Sequence, residues 1–216
     1  MDFDTARHNM IQNQILPNLV RDERILDIMQ DLPREAFLPD SLKMLAYADN
    51  NIDLGSGRHA MEPRVAARLI QLAAIKSEDV ILSVGCGSGY SVAILASLAT
   101  TVFAIEPDKI LADKAMKTFD SLGIDNVVII ASDYPLGHAA QAPYDVIFFN
   151  GAISEIPNAI TPQLAENGRL VAIVRNKKSG KAIIMTRYMG VCSSRRSFDA
   201  IVPILPGFEK EREFIF

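Results

Sequence analysis

A chain of 216 residues suits one α/β domain with an added terminal segment and leaves little room for two full domains. Its 22 Lys and Arg against 26 Asp and Glu give a net charge of −4, spread without a basic block or an acidic tail, so neither a nucleic-acid partner nor an anionic membrane surface is expected. Hydrophobic residues, at 49%, suffice for one large core, while the two cysteines, Cys86 and Cys192, lack CxxC spacing and support neither a disulfide framework nor a metal site.

The first residues, Met1-Asp2-Phe3-Asp4, are acidic and polar where a secretory signal would be basic and then apolar, so the chain reads as cytoplasmic. No apolar run approaches the roughly 18 residues of a spanning helix. Asp4 is placed to cap a helix carrying Met10, Ile11 and Ile15 until Pro17 stops it. A second helix carries Ile25, Ile28, Met29 and Leu32 at helical spacing before Pro33. A Pro- and Gly-punctuated stretch follows, residues 33–57. Pro63 then suits the first turn of a helix with Val65, Leu69, Leu72 and Ile75 on its apolar face.

From Val80 the pattern changes to strands alternating with helices. Strands are predicted at residues 80–84, 102–105, 127–131, 146–149 and 170–174, and helices at 90–99 and 110–122, the latter closed by Gly123. This alternation implies a largely parallel sheet with helices on both faces. The tail reads as strands at 182–188, 198–202 and 213–216 with a turn at 177–180, which suggests antiparallel pairing at one edge.

The first of these strands runs into Gly85-x-Gly87-x-Gly89 and then a helix. Such glycines let the backbone approach a ligand closely, and ligands on these sheets bind at the carboxyl ends of strands near the switch in strand order. Glu106 ends the second strand, where a carboxylate can accept from both hydroxyls of a ribose or stand as a solvated strand-end acid. The dinucleotide pattern requires a third glycine where Tyr90 stands, which disfavours a nicotinamide-dependent oxidoreductase, and no Gly-Lys-Ser/Thr follows to make a phosphate loop. A sulfonium nucleoside, S-adenosylmethionine, fits this loop better, with Gly85, Gly87, Ser88 and Gly89 as its cradle. Asp133 is placed to bind the adenine amino group or to cap a loop. Asn150, before Gly151-Ala152, either contacts an acceptor or caps the next helix.

Several ordered stretches carry a resemblance. They include Asn9-Met10-Ile11 with Gln14-Ile15, Leu32-Pro33-Arg34-Glu35-Ala36-Phe37-Leu38-Pro39, Ala46-Tyr47-Ala48-Asp49, and Leu54-Gly55-Ser56-Gly57 leading to Pro63. Gly85-Cys86-Gly87-Ser88-Gly89-Tyr90, Asp133 with Gly137, Tyr144-Asp145-Val146-Ile147, Gly151-Ala152, Pro157 and Gln163-Leu164 with Gly168-Arg169-Leu170 continue it. Over residues 5 to 175 the chain resembles the protein-L-isoaspartate O-methyltransferases. The resemblance implies a Rossmann-like S-adenosylmethionine-dependent methyltransferase fold, mostly parallel with antiparallel C-terminal strands. It implies a helical cover segment at residues 1–62 on a cofactor-binding domain at 63–216, the two forming one compact unit. It further implies esterification of isoaspartyl carboxylates in damaged proteins or peptides, with no nucleic-acid or membrane partner.

Two residues depart from the family pattern. The family has Thr-Ile-Ser-x-Pro before the helix at Pro63, its serine being linked to activity, whereas this chain reads His59-Ala60-Met61-Glu62-Pro63. Met61 stands at the serine's place and cannot donate a hydrogen bond. The nearby candidates for holding a carboxylate are Arg58 and His59, and Arg58 can do so through two parallel bonds. The family also carries an acid where Ser83 stands. These departures leave open a relative that binds the cofactor or its demethylated product without turnover and acts through protein contacts, or a methyltransferase for another substrate.

Overall fold

The computed structural model describes residues 2–177 and 179–209. Helix α1 (Phe3–Met10) is capped by Asp2, whose carboxylate accepts from the backbone N–H of Asp4 and Thr5 at 3.1 and 3.3 Å. The expected cap, Asp4, lies inside the first turn, where its charge suits the helix dipole. The chain stays coiled through a π turn and a 3-10 turn, until Leu19 takes a left-handed conformation after Pro17. Helix α2 (Glu23–Asp31) is capped by Asp22. The punctuated stretch folds into two 3-10 turns, Arg34–Phe37 and Asp40–Leu45, and a hairpin of β1 (Ile52–Gly55) and β2 (Arg58–Ala60). Ser56 and Gly57, at φ +52° and +71°, make its two-residue turn. Helix α3 (Pro63–Ala73) follows, with Pro63 in its first turn as expected.

The sheet is built from β3 (Val80–Val84), β4 (Thr101–Ile105), β5 (Val127–Ile130), β6 (Tyr144–Ile153), β7 (Leu164–Arg175), β8 (Gly180–Tyr188) and β9 (Val191–Asp199), in the order β5-β4-β3-β6-β7-β8-β9. Strands β3 to β7 run parallel; β8 and β9 add antiparallel at the edge. Helices α4 (Tyr90–Leu98) and α5 (Lys109–Ser121) complete the crossovers. The order reverses between β3 and β6, so the crevice for a ligand lies at the carboxyl ends of these two strands. The last predicted strand, 213–216, lies outside the described residues. The strand expected at 198–202 instead ends at Asp199, and residues 201–208 cross the end of the sheet with only a single bridge, Ala152 to Ile204.

The expectation of helices on both faces is not met. Strand residues alternate between two apolar clusters, and α3, α4 and α5 all contribute to the same one, with Ile81, Val102, Phe148 and Val171. The opposite cluster, around Leu82, Ile147, Phe149 and Leu170, is covered by Tyr134, Ile160, Leu205 and Phe208 from short irregular segments. The reason is local. The connections after β5 and β6 carry Pro135, Pro143, Pro157 and Pro162, which break long helices, and form only short 3-10 turns among the described residues.

The N-terminal residues join the helical cluster, and Met10, Ile15, Ile25, Met29 and Phe37 are all buried in it. Phe37 meets the Tyr90 ring edge-on at 5.6 Å. The guanidinium of Arg34, fully buried, donates to the Ala46 carbonyl at 2.6 Å and the Met61 carbonyl at 2.8 Å, and lies 4.6 Å above the Tyr90 ring. One cation thus ties the N-terminal segment to the end of the hairpin. Arg34→Ala strands two buried carbonyls, at roughly 1–3 kcal/mol each. Urea unfolding should show a loss on that scale, and a loss under about 0.5 kcal/mol would contradict the role assigned to Arg34.

Candidate active site

Strand β3 delivers its glycine loop to the crevice. Ser83 is fully buried and its hydroxyl donates to the Gly85 carbonyl at 3.3 Å, so the residue standing in place of the family acid braces the loop from inside. Gly89 has φ +98°, and a Cβ there would lie 2.9 Å from the Phe119 ring. Helix α4 therefore starts close against α5 only with glycine at this position. Cys86 is buried in the loop, and burial pushes its thiol up.

Glu106 directly follows β4 and has no exposed surface. Its carboxylate accepts four hydrogen bonds: from Gly87 N–H (2.7 Å), Asp108 N–H (3.1 Å), the Tyr134 hydroxyl (2.8 Å) and Arg58 Nη2 (2.5 Å). The Gly87 bond couples the acid to the glycine loop. Arg58 is 4% exposed and lies 4.4 Å above the Tyr134 ring, with its other terminal nitrogen unpartnered. Burial pushes the Glu106 carboxyl up and the Arg58 guanidinium down, and the attraction between them opposes both shifts. Each charge is held inside the protein by the other, and removing one strands its partner.

Beside this pair opens a cavity of about 440 Å³, lined by Glu106, Pro107, Asp108, Asp133, Tyr134 and Pro135 on one side and by Ser56, Arg58, Pro206 and Gly207 on the other. Asp133 is exposed to it, and its side chain does not cap the turn that follows. Glu106 and Asp133, predicted from the sequence as nucleoside ligands, therefore share one cavity. Ser88 does not join them. It lines a separate cavity of about 470 Å³ with Phe37, Leu54 and Lys114.

Asn150 lies within β6, where the pairing with β7 shifts register between Phe148 and Ala152, and no helix follows for it to cap. It is 9% exposed; its amide donates to the Cys86 carbonyl at 3.4 Å and its Oδ1 has no partner. His59, Met61, Asn150 and Gly151 line a chamber of only about 10 Å³, closed on its far side by residues 202–205. Nδ1 of His59 is also unpartnered, and its Nε2 lies 3.9 Å from Asp53. Glu62 turns away from the chamber to Arg64 at 3.4 Å. The three positions read together from the sequence are thus divided: Arg58 faces the cavity of Glu106 and Asp133, while His59 and Met61 face the chamber. Sequence reasoning missed Tyr134, the direct neighbour of Asp133, and Leu205, whose Pro-Gly-Phe sequel marks a turn.

A family model described as protein-L-isoaspartate(D-aspartate) O-methyltransferase matches residues 5–198. The protein-L-isoaspartate O-methyltransferase of Geobacter metallireducens is 36% identical over 177 residues, covering 82% of this chain and 82% of its own length. Protein-L-isoaspartate O-methyltransferase 2 of Shewanella sediminis is 34% identical over 185 residues, covering 86% of this chain and 76% of its own. Among solved structures, one named protein-L-isoaspartate O-methyltransferase gives a TM-score of 0.81 at 22% identity, over 93% of this chain and 66% of that one. A Plasmodium falciparum structure of the same name, in complex with S-adenosyl-L-homocysteine, gives 0.79 at 20% identity over 95% and 98%. Likeness at these identities speaks for the fold.

A nucleoside whose ribose hydroxyls take Glu106 must compete with Arg58 for the same carboxylate. Glu106→Ala should therefore weaken S-adenosylhomocysteine binding by roughly 1.5–3 kcal/mol, about 10- to 150-fold, whereas Arg58→Gln should tighten it. Isothermal titration of both variants checks this. Equal losses in the two would contradict competition.

Proposed function

The chain belongs to the protein-L-isoaspartate O-methyltransferase family, and on that premise we propose that it transfers a methyl group from S-adenosylmethionine to the free carboxylate of isoaspartyl residues in proteins or peptides. This would be a repair reaction in the cytoplasm; no described helix is long and apolar enough to cross a membrane. The observation that carries the reading is the buried Glu106 carboxylate, bonded to Gly87 of the loop and set at the wall of a cavity it shares with Asp133. These residues fit the cofactor: glycine backbone in the loop, a ribose acid, and Asp133 open to an adenine. Gly85, Gly87 and Gly89 would hold it with Glu106 and Asp133. When bound, the cofactor supplies an electrophilic methyl group on a sulfonium.

The chain's own part is alignment. A carboxyl group has an ordinary pKa near 4 and is ionised at neutral pH, so it needs no general base to act as the nucleophile. What remains for this chain's residues is to hold the carboxylate oxygen in line with that methyl group, so positioning would dominate the rate. The groups set at the chamber are the imidazole of His59, with Nδ1 unpartnered, and the amide of Asn150, which could donate to a carboxylate only through its Nδ2–H because the unpartnered Oδ1 is an acceptor. Met61, buried beside them, offers no donor. Residues 1–62 would form a cover whose end leads into this wall, a role supported by the tie from Arg34 to the Met61 carbonyl.

One observation favours a second reading. Arg58 and Tyr134 satisfy Glu106 from within the protein, as they would in a relative that acts through protein contacts without turnover. Methyl transfer to an isoaspartyl peptide, measured beside S-adenosylhomocysteine binding, separates the two. Binding without transfer supports the second.

The first reading makes a further prediction. Met61→Ser restores one hydroxyl next to the acceptor and should raise turnover roughly 10- to 150-fold, the range of one hydrogen bond to a charged group. Single-turnover kinetics on an isoaspartyl peptide would show the gain. A serine variant that folds, binds the cofactor and methylates no faster would contradict the place given to Met61.

A further inference from the structure

The chamber shared by His59, Met61 and Asn150 is narrowed by the chain itself. At about 10 Å³ its inner space holds about one water, too little for a carboxylate-bearing side chain to seat beside His59 and Asn150 with the wall in place. Its far wall belongs to the segment that follows β9. That segment is tied to the end of β6 by three backbone bonds: Ala152 N–H to the Pro203 carbonyl (3.0 Å), Leu205 N–H to the Ala152 carbonyl (2.8 Å) and Ser154 N–H to the Phe208 carbonyl (3.1 Å). Pro203 and Pro206 have no N–H, so it cannot extend the sheet as a strand.

Three side chains anchor it instead. Val202 is buried in the core shared with α3 to α5, and Arg175 donates to its carbonyl at 2.8 Å. Phe208 meets Phe149 edge-on at 5.7 Å and stacks beside Tyr134 at 6.3 Å. Leu205 drops into a notch between the glycine loop and β6. A Cβ on Gly151 would lie 2.6 Å from its Cγ, and one on Gly85 would lie 3.3 Å from its Cδ2. This notch is where the switch in strand order opens the crevice, beyond the nucleoside cavity. The polar atoms around the chamber give a second, independent sign. Asn150 Oδ1 and His59 Nδ1 are buried without partners, and the segment presents Ile204 and Leu205 to the chamber they line. A permanent wall of that chemistry leaves both atoms unsatisfied, whereas a polar occupant would pair with them.

We propose that residues 201–208 are a displaceable strap, with Leu205 as its latch, that must lift from Gly85 and Gly151 before the methyl-bearing end of the donor and the acceptor carboxylate can meet. The proposal rests on the methyltransferase reading for its ligands. Apparent donor affinity is then the intrinsic affinity reduced by the fraction of molecules with the strap lifted.

Three measurements on the full chain test it. Leu205→Ala loosens the latch and should tighten S-adenosylhomocysteine binding by about tenfold or more. A disulfide between Ala152→Cys and Ile204→Cys, at the single bridge of the strap, should abolish binding when oxidised, and reduction should restore it. In the protein alone, the Ala152 and Leu205 amides should exchange with solvent at least about 100-fold faster than those of central β7, because they report local opening. Unchanged or weaker binding by a folded Leu205→Ala protein, or full binding by the oxidised pair, overturns the strap. So does exchange at Leu205 as slow as in β7. If its amides exchange fast but neither wild type nor Leu205→Ala binds S-adenosylhomocysteine, the donor assignment fails and the strap stands.

Discussion

The carboxylate of Glu106 has no exposed surface, and the end of the sheet is organised around keeping it charged. Two backbone donors fix it, one from the glycine loop and one from the turn that starts α5, so the acid, loop and helix share one geometry. The other two donors, Arg58 and Tyr134, come from outside the βαβ unit. Arg58 brings the β1–β2 hairpin down onto the crevice. Tyr134 brings the connection after β5, and through its ring the Phe208 anchor. A buried ion pair contributes little net stability, because the loss of hydration offsets most of the attraction. What this pair supplies is position. It joins the two covers of the site, hairpin and strap, to the residue that the family resemblance assigns to the nucleoside.

That arrangement changes the meaning of the departure at Met61. The lost serine suggests an impaired acceptor site with Arg58 as the substitute. The structure sets Arg58 in the cavity wall with Glu106 and Asp133, whereas Asn150 and His59 stand with Met61 at the chamber. Under the proposed strap, a site whose acid is paired internally and whose chamber is walled by Leu205 would be kept from water until its ligands arrive. Such protection suits a transfer in which water must not compete for the methyl group.

Much of this was legible from local pattern. The glycine loop, the acid at the end of β4, the parallel order and the antiparallel edge follow from hydrophobic period and turn chemistry, both short-range signals. The partners of Glu106 were not legible, since Arg58 lies 48 residues before it and Tyr134 28 after it, and nothing in the spacing links them. The one-sided placement of helices was missed because Pro135, Pro143, Pro157 and Pro162, in the connections after β5 and β6, were not weighed against helices there. Ser88 was assigned to the cradle by its place in the motif; the structure sets it in the wall of the other cavity, between two left-handed glycines. The Pro-Arg-Glu-Ala-Phe stretch identified the family without revealing its work, which is structural: Arg34 holds two carbonyls, and Glu35 receives Arg7 and Tyr47.

The central claim is that a nucleoside reaches Glu106 by displacing Arg58. A crystal structure of the full chain grown with S-adenosylhomocysteine tests it most directly. The account predicts both ribose hydroxyls on the Glu106 carboxylate, Arg58 moved off it, and Leu205 withdrawn from Gly151. A bound nucleoside that leaves the Arg58–Glu106 pair and the Leu205 notch intact would contradict it.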